Sequence, residues 1–288
     1  MDLKWRIGSV TITSITESET PTSPRFLFGG LDKAGVLARA EKAPWLRPHF
    51  VSQDGYLLQK IQCLVIDTGD HRIAVDTCIG NDKDRHNELW NHLQGPFLDD
   101  MKKAGYPPES ITHVICTHLH VDHVGWNTRL VDGAWVPTFP NARYLFVDRE
   151  YEHWRREPGL FGTEDVFGDS VAPIVEAGLA DIVAIDHAVS DSVRFQPTTG
   201  HTPGHVSVVI ESDGQRAIIT GDMVHSPLQI ADPDLCSSFD TDSEEARATR
   251  RAVFPAWADG ETVVIGTHFG SPTGGTMHPD GDGYRLKV

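Results

Sequence analysis

Apolar runs of strand length alternate with amphipathic segments along most of the chain. The runs at 61–68 and 71–77 are rich in β-branched residues and predict two adjacent strands joined by a tight turn. The segment at 95–105 predicts a helix, because Pro96 suits a first helical turn and Gly105 suits the position after the last one. Two further strands are predicted over 111–117 and 142–148, and a polar helix over 149–157.

The second half of the chain repeats this order of elements. Strands are predicted over 193–198, 205–212, 215–220 and 261–268, and a helix over 242–259. In that helix Asp242 is the expected N-cap, and Glu245 is the expected second member of a capping box. Several of the strands end in a histidine or a carboxylate. The pattern therefore favours a layered α/β sandwich with its functional site at the strand ends.

Residues 18–55 lack this periodicity. They carry four prolines, three phenylalanines and one tryptophan. This composition is compatible with an N-terminal extension packed on the core and equally with a lid over the site. We expect a single domain over 1–288 that includes this segment.

Composition and charge narrow the range of functions. The chain is 39% hydrophobic and 23% charged, which indicates a globular core, and its formal net charge of −16 disfavours nucleic acid and anionic membranes as partners. A small-molecule substrate is expected, and a homodimer is left open. The four cysteines show no CxxC spacing, three of them adjoin apolar runs, and no long apolar segment is present. These absences predict buried thiols and a cytoplasmic location.

The stretch CTHLHVDHVGW, at 116–126, places three histidines and an aspartate within six consecutive residues. Zinc and similar ions bind three or four imidazole and carboxylate ligands each. One ion cannot comfortably use all four side chains of this motif. We therefore assign His118 and His120 to one metal ion, and Asp122 and His123 to a second.

The remaining ligands are expected at strand ends later in the chain. His205 follows the Gly/Pro loop GHTPG, Asp222 ends the strand AIITGD, and His268 ends VVIGTH. His201, in the same GHTPGH segment, is interpreted as a loop anchor that orients a ligand. The predicted shells are His118, His120, His205 and Asp222 around the first ion, and Asp122, His123, Asp222 and His268 around the second. Asp222 bridges the two ions in this scheme.

The ordered motifs THLHVDH, GHTPGH, TGD and GTH resemble those of the metallo-β-lactamase superfamily over roughly residues 55–270. The resemblance implies a four-layer αβ/βα sandwich with a dinuclear metal site at its edge. The long N-terminal segment and HVGWN after the first motif are similar in particular to the branch that holds N-acyl-homoserine lactonases and methyl parathion hydrolase.

Two departures from related enzymes bear on the substrate. The lactonases of that branch carry a tyrosine three residues after the bridging aspartate, whereas this chain has His225 there. Hydrolases of the glyoxalase II type usually add a basic C-terminal cluster, and the tail GGTMHPDGDGYRLKV has none. Cleavage of homoserine lactones is therefore less specifically indicated than ester hydrolysis in general.

The sequence predicts a hydrolase with two divalent metal ions, expected to be zinc, that cleaves a lactone or another carboxylic ester through a bridging hydroxide. Asp122 is expected to take the proton, and His225 to stabilise the developing oxyanion. Phosphotriester hydrolysis and β-lactam hydrolysis use the same chemistry and are kept as alternatives. A mononuclear iron oxygenase would leave Asp122, His123 and His268 without a role, and a non-catalytic binding module would be expected to lack some ligands.

Overall fold

The computed structural model describes residues 3–156 and 165–288. Its strands are β1 (Lys4–Ile7), β2 (Val10–Thr22), β3 (Leu57–Asp67), β4 (Arg72–Val75), β5 (His113–Ile115), β6 (Thr128–Val131), β7 (Ala134–Pro137), β8 (Arg143–Val147), β9 (Ala180–Val183), β10 (Ala188–Ser190), β11 (Val193–Pro197), β12 (Val206–Ser212), β13 (Gln215–Ile219), β14 (Val263–Ile265), β15 (Gly274–Asp280) and β16 (Gly283–Lys287).

The helices are α1 (Pro24–Phe28), α2 (Lys33–Lys42), α3 (Phe97–Lys103), α4 (Val121–Val124), α5 (Asp148–Arg156), α6 (Val166–Ser170), α7 (Ala172–Glu176), α8 (Leu228–Ala231) and α9 (Ser243–Trp257). Single 3-10 turns cover Pro44–Leu46, Pro108–Ser110, Gly125–Asn127 and Gly221–Met223. The chain divides into two compact units, Met1–Glu17 with Ile61–Ile185, and Ser18–Lys60 with Asp186–Val288.

The sheet of the first unit has the order β1-β2-β3-β4-β5-β8-β9. Strands β3 and β4 form the predicted antiparallel hairpin, whereas β4, β5, β8 and β9 run parallel to one another. Parallel strands bring their carboxyl ends to one edge of a sheet. The residues that follow β4 and β5, including the histidine-rich motif, therefore leave the sheet at the same edge.

The apolar core of the first unit contains three buried cysteines. Cys63, Cys78 and Cys116 are buried with aromatic side chains such as Phe97 and Phe146, and all four cysteines of the chain are free thiols. Burial raises the pKa of each of these three thiols. They are packing residues, as the sequence indicates, and not thiolate ligands.

The sheet of the second unit has the order β10-β11-β12-β13-β14-β15-β16. All its neighbouring strands are antiparallel except β13 and β14, which are parallel. Asp213 and Gly214 form the turn between β12 and β13, with positive φ at both residues. Because β13 and β14 are parallel, the residues that follow these two strands leave the sheet at the same edge. Asp222 lies in the loop after β13, and His268 lies in the loop after β14.

The segment 18–55 contributes part of the hydrophobic core of the second unit. Helices α1 and α2 supply Leu27 and Val36 to a cluster that also holds Val209, Phe254 and Trp257. The segment is thus packed against the C-terminal half of the chain within this unit. A role as a lid stays a prediction, as does the treatment of 1–288 as one domain.

The predicted α/β class is confirmed, and the predicted strands and helices occur with shifted ends. Residue 157, the last one of a predicted helix, lies outside the described residues. No strand was predicted at β1 and β2, at β6 and β7, at β9 and β10, or at the C-terminal pair β15 and β16. In β15 two leading glycines and a proline interrupt the period-two pattern. In the described residues, no helix combines the length and the apolar character that crossing a membrane requires.

Helix α9 has the expected cap but not the full capping box. The Asp242 carboxylate accepts the amides of Glu244 and Glu245. The Glu245 carboxylate instead accepts the hydroxyl of Thr199, and the Asp242 amide donates to the Gly200 carbonyl. The reciprocal half of the predicted box was therefore wrong, because a tertiary contact takes its place.

Replacing Asp242 by alanine removes the acceptor of two main-chain amides, each 3.0 Å away. We expect the free energy of unfolding to fall by about 1 kcal/mol, measured by urea denaturation of the metal-free protein. Asp242→Asn keeps an oxygen acceptor and should lose much less. Wild-type stability in Asp242→Ala would show that this cap does not stabilise the helix.

Candidate metal centre

The first unit holds the four donors of the histidine-rich motif close together. The chain leaves β5 at Ile115 and enters α4, for which His120 is the N-cap residue. The ring centroids of His118 and His120 lie 4.5 Å apart, and those of His118 and His123 lie 4.1 Å apart. Asp122 Oδ1 is 3.6 Å from His123 Nε2. These three imidazoles are buried, so their ring nitrogens need polar partners.

Asp76, a fully buried residue after β4, fixes two of these imidazoles. Its Oδ1 accepts the amide of Thr117, its Oδ2 accepts the Thr117 hydroxyl at 2.9 Å, and Oδ2 also lies 3.0 Å from His123 Nδ1. Since the Thr117 hydroxyl proton points to Asp76, its oxygen is left to accept from His118 Nδ1, 3.1 Å away. The His118 ring then carries its proton on Nδ1 and presents a lone pair on Nε2, and the Asp76 carboxylate 3.0 Å from His123 Nδ1 favours the same tautomer there.

A second buried carboxylate supports the same motif from helix α5. Glu150 Oε1 accepts the Leu119 amide at 3.0 Å and the indole N–H of Trp154 at 2.6 Å. The Trp154 ring packs edge-on against His120, with centroids 5.1 Å apart. Neither Asp76 nor Glu150 was singled out from the sequence. One sequence feature could have pointed to Asp76: it is a carboxylate directly after β4, the strand that pairs with β5, and β5 leads to the motif.

In the second unit, three imidazoles face the carboxylate of Asp222. This residue lies in the 3-10 turn after β13, and its side chain is 5% exposed. His268 Nε2 is 3.1 Å from Oδ1, His225 Nε2 is 3.2 Å from Oδ2, and His201 Nε2 is 3.6 Å from Oδ2. The structure thus brings two of the three predicted ligands of this unit together, along with the predicted catalytic His225.

His205 has a different environment from the one expected for a ligand. Its Nδ1 lies 2.9 Å from the hydroxyl and 3.0 Å from the carbonyl oxygen of Thr198, and its Nε2 accepts the main-chain amide of Asp222 at 2.9 Å. Both ring nitrogens are therefore engaged by protein atoms. His205 thus contacts the main chain of Asp222, whereas His201 is the histidine of this loop that faces the Asp222 carboxylate.

The two other histidines that face Asp222, His225 and His268, are held by further hydrogen bonds. His268 Nδ1 lies 2.8 Å from the carbonyl oxygen of Lys60, so this nitrogen carries the proton and Nε2 presents a lone pair. The His225 amide donates to Gln229 Oε1, and its carbonyl accepts from Gln59 Nε2. The rings of His225 and His268 are nearly parallel at 6.2 Å.

The donor chemistry of both units fits a divalent metal ion. In His118, His123 and His268 an acceptor faces Nδ1, which leaves Nε2 as the ligand atom. Metal-binding histidines are commonly oriented in this way by a carboxylate, carbonyl or hydroxyl on the opposite nitrogen. Asp122 and Asp222 add the carboxylate oxygens that zinc and similar ions also accept.

The family model of the metallo-beta-lactamase superfamily matches residues 58–268. An N-acyl homoserine lactonase of Bacillus sp is 28% identical over 165 residues, a match covering 53% of this chain and 59% of that protein. An N-acyl homoserine lactonase of Bacillus thuringiensis is 26% identical over 171 residues, covering 55% of this chain and 61% of that protein. This chain therefore spans about three fifths of the length of these relatives.

Two solved structures resemble the whole chain. The hydrolase AbOPH of the beta-lactamase superfamily gives a TM-score of 0.81 at 23% identity and covers 100% of this chain and 97% of its own. AidC, a dizinc quorum-quenching lactonase, gives a TM-score of 0.77 at 20% identity and covers 99% of this chain and 96% of its own. At these identities the likeness shows that the fold is shared.

Removing the carboxylate of Asp76 should destabilise the protein even without metal. Asp76→Ala leaves the buried Thr117 amide without its acceptor at 2.8 Å, and we expect a loss of roughly 1–3 kcal/mol in the free energy of unfolding. Asp76→Asn, the matched control, tolerates the positive φ of 55° and keeps one acceptor, so it should lose less. Chemical denaturation with chelator present measures both; equal losses in the two variants would contradict the assigned role of the carboxylate.

Proposed function

The chain belongs to the metallo-beta-lactamase superfamily, and from that membership we propose that it is a metal-dependent hydrolase of lactones or other carboxylic esters. The observation that carries the proposal is the common orientation of His118, His123 and His268. In each of them Nδ1 faces a hydrogen-bond acceptor of the protein, which leaves the lone pair of Nε2 to bind a metal ion. The names of the lactonase relatives support an ester bond as the target.

The proposed ligand set is the one predicted from the sequence with one exchange. His201 takes the place of His205, because both ring nitrogens of His205 are engaged by Thr198 and Asp222. The set is His118, His120, Asp122, His123, His201, Asp222 and His268. Two divalent ions, proposed as zinc, would supply Lewis-acid chemistry, lowering the pKa of water toward about 7 and polarising a carbonyl oxygen.

The remaining steps fall to side chains of this chain. Asp122 is 15% exposed at its side chain, whereas His123 beside it is fully buried. We assign Asp122 Oδ the proton released as water attacks the ester carbon. His225 is assigned an N–H donated to the oxygen on which negative charge develops. Its main chain is held by Gln229 and Gln59, which fixes the point from which the His225 side chain extends.

An assay of several substrate classes tests which kind of electrophile this hydrolase attacks. The zinc-loaded protein should be assayed against lactones, aryl esters, phosphotriesters and β-lactams at equal concentrations. We expect the highest kcat/KM on a lactone or an aryl ester. A clear preference for a phosphotriester or a β-lactam would replace the proposed substrate class and leave the metal-dependent hydrolase in place.

Metal content tests the ligand set directly. Zinc-reconstituted protein should retain roughly two ions per chain after gel filtration, measured by elemental analysis. Asp222→Ala should lose both ions because Asp222 is the proposed bridge, and His268→Ala should lose mainly one. A single iron with no second ion after reconstitution would favour the oxygenase alternative. Two tightly held ions in Asp222→Ala would contradict the bridging role.

His225→Ala should lower kcat by roughly 10²–10³ on the preferred ester with metal content unchanged, because one oxyanion donor is lost. His225→Tyr restores a donor and should recover part of the rate. His278→Ala is a matched control, since that ring lies on β15 beside Thr276 and outside the proposed site. Wild-type kcat in His225→Ala would leave the metal ions as the sole electrophiles.

A further inference from the structure

Asp240 is a buried carboxylate to which the proposed function gives no role. It lies in the segment between α8 and α9, and its side chain is 1% exposed. Its Oδ2 accepts the main-chain amide of Ser237 at 2.9 Å, and its Oδ1 lies 3.0 Å from Nδ1 of His201. A carboxylate removed from water requires donors on its oxygens. The His201 ring is therefore one of the two groups that satisfy Asp240.

The main chain on both sides of this contact is fixed as well. The Thr241 amide donates to the His201 carbonyl, and the Asp242 amide donates to the Gly200 carbonyl, each at 2.9 Å. Gly200 has φ +121°, and a Cβ there would collide with the main chain of Ala246 in α9. Only glycine allows so close an approach between the His201 loop and helix α9.

Helix α9 anchors the two loops that meet at this contact. Thr249 donates its hydroxyl to the Thr199 carbonyl at 2.7 Å, next to the His201 loop. The buried Arg250 donates to the carbonyls of Pro233 and Leu235, in the segment that leads to Asp240. Helix α9 therefore helps to hold the His201 and Asp240 side chains in contact.

We propose that Asp240 is a positioning residue for His201, accepting its Nδ1–H so that the Nε2 lone pair points toward Asp222. The Asp222 Oδ2 atom is 3.6 Å from that Nε2. The His225 ring packs edge-on against His201 with centroids 4.8 Å apart, which opposes rotation of the ring. The inference rests on the proposed function, in which His201 is a metal ligand. A carboxylate on Nδ1 also makes the opposite nitrogen a stronger ligand.

The tautomer of His201 can be measured without metal or substrate. In metal-free protein with ¹⁵N-labelled histidine, we expect His201 to carry its proton on Nδ1, with the signal assigned by its absence in His201→Gln. Asp240→Ala should abolish this single tautomer. Zinc affinity, measured by competition with a chromophoric chelator, should fall roughly 10–100-fold. Asp240→Asn should be intermediate, because one amide oxygen must serve both the Ser237 amide and the His201 ring.

Asp242→Ala is the matched control, because it weakens the same helix end without touching the His201 ring. It should lower stability and leave both the tautomer and the zinc affinity unchanged. An unchanged His201 tautomer in Asp240→Ala would overturn the inference, and so would an equal loss of zinc affinity in Asp242→Ala. If Asp240→Ala does not fold, Asp240→Asn decides by the same two measurements. Failure of the wild type to bind zinc would refute the proposed function, whereas the tautomer would still test the contact.

Discussion

An imidazole has two nitrogens and, when neutral, one proton, so whichever group accepts that proton decides which nitrogen can bind a metal ion. This constraint organises both units of the structure. Thr117 and Asp76 face Nδ1 of His118 and His123, and the Lys60 carbonyl faces Nδ1 of His268. These acceptors lie within or just after strands, where the hydrogen bonds of the sheets hold the main chain in place. In each ring, the group that faces Nδ1 leaves Nε2 as the nitrogen that could bind a metal ion.

Carboxylates have two separate roles in this arrangement. Asp122 and Asp222 are the proposed carboxylate ligands, whereas Asp76, Glu150 and Asp240 accept hydrogen bonds from, or lie beside, amides, an indole and imidazoles. The second group is buried and accepts hydrogen bonds that water would otherwise make. Replacing Asp122 or Asp222 would remove a proposed metal ligand. Loss of a member of the second group leaves a buried donor unsatisfied, and its cost appears first in stability and ligand orientation.

The sequence predicts the histidine motif because its residues are nearly consecutive, and it predicts Asp222 and His268 because each follows an apolar strand. His118, His120, Asp122 and His123 lie within one turn of chain, so their proximity does not depend on tertiary structure. Asp76 and Asp240 are single carboxylates remote from the residues they hold, and their roles follow only from strand register and loop path. The hairpin at 274–287 was missed for a different reason, because glycines and a proline interrupt the alternation of apolar and polar residues in its first strand.

His201 and His205 illustrate the limit of sequence reasoning most directly. Both lie in GHTPGH, both are buried, and their residue type and spacing do not distinguish a ligand from a support. The difference arises because Thr198 and the Asp222 amide occupy the ring of His205, whereas Asp240 takes one nitrogen of His201 and leaves the other near Asp222. The difference between His201 and His205 depends on hydrogen bonds between loops that are far apart in sequence, and no local motif shows it.

The two compact units are interleaved along the chain, and this has a consequence for synthesis on the ribosome. Residues 18–60 are made early, yet they belong to the unit whose other residues begin at Asp186. Leu27, Val36 and Phe50 pack with Val209 and Trp257, which are translated much later. Until then, the apolar faces of α1 and α2 lack their native cover, and exposed surface of this kind promotes aggregation of nascent chains. Folding of the second unit therefore has to wait until Val209 and Trp257 have been translated.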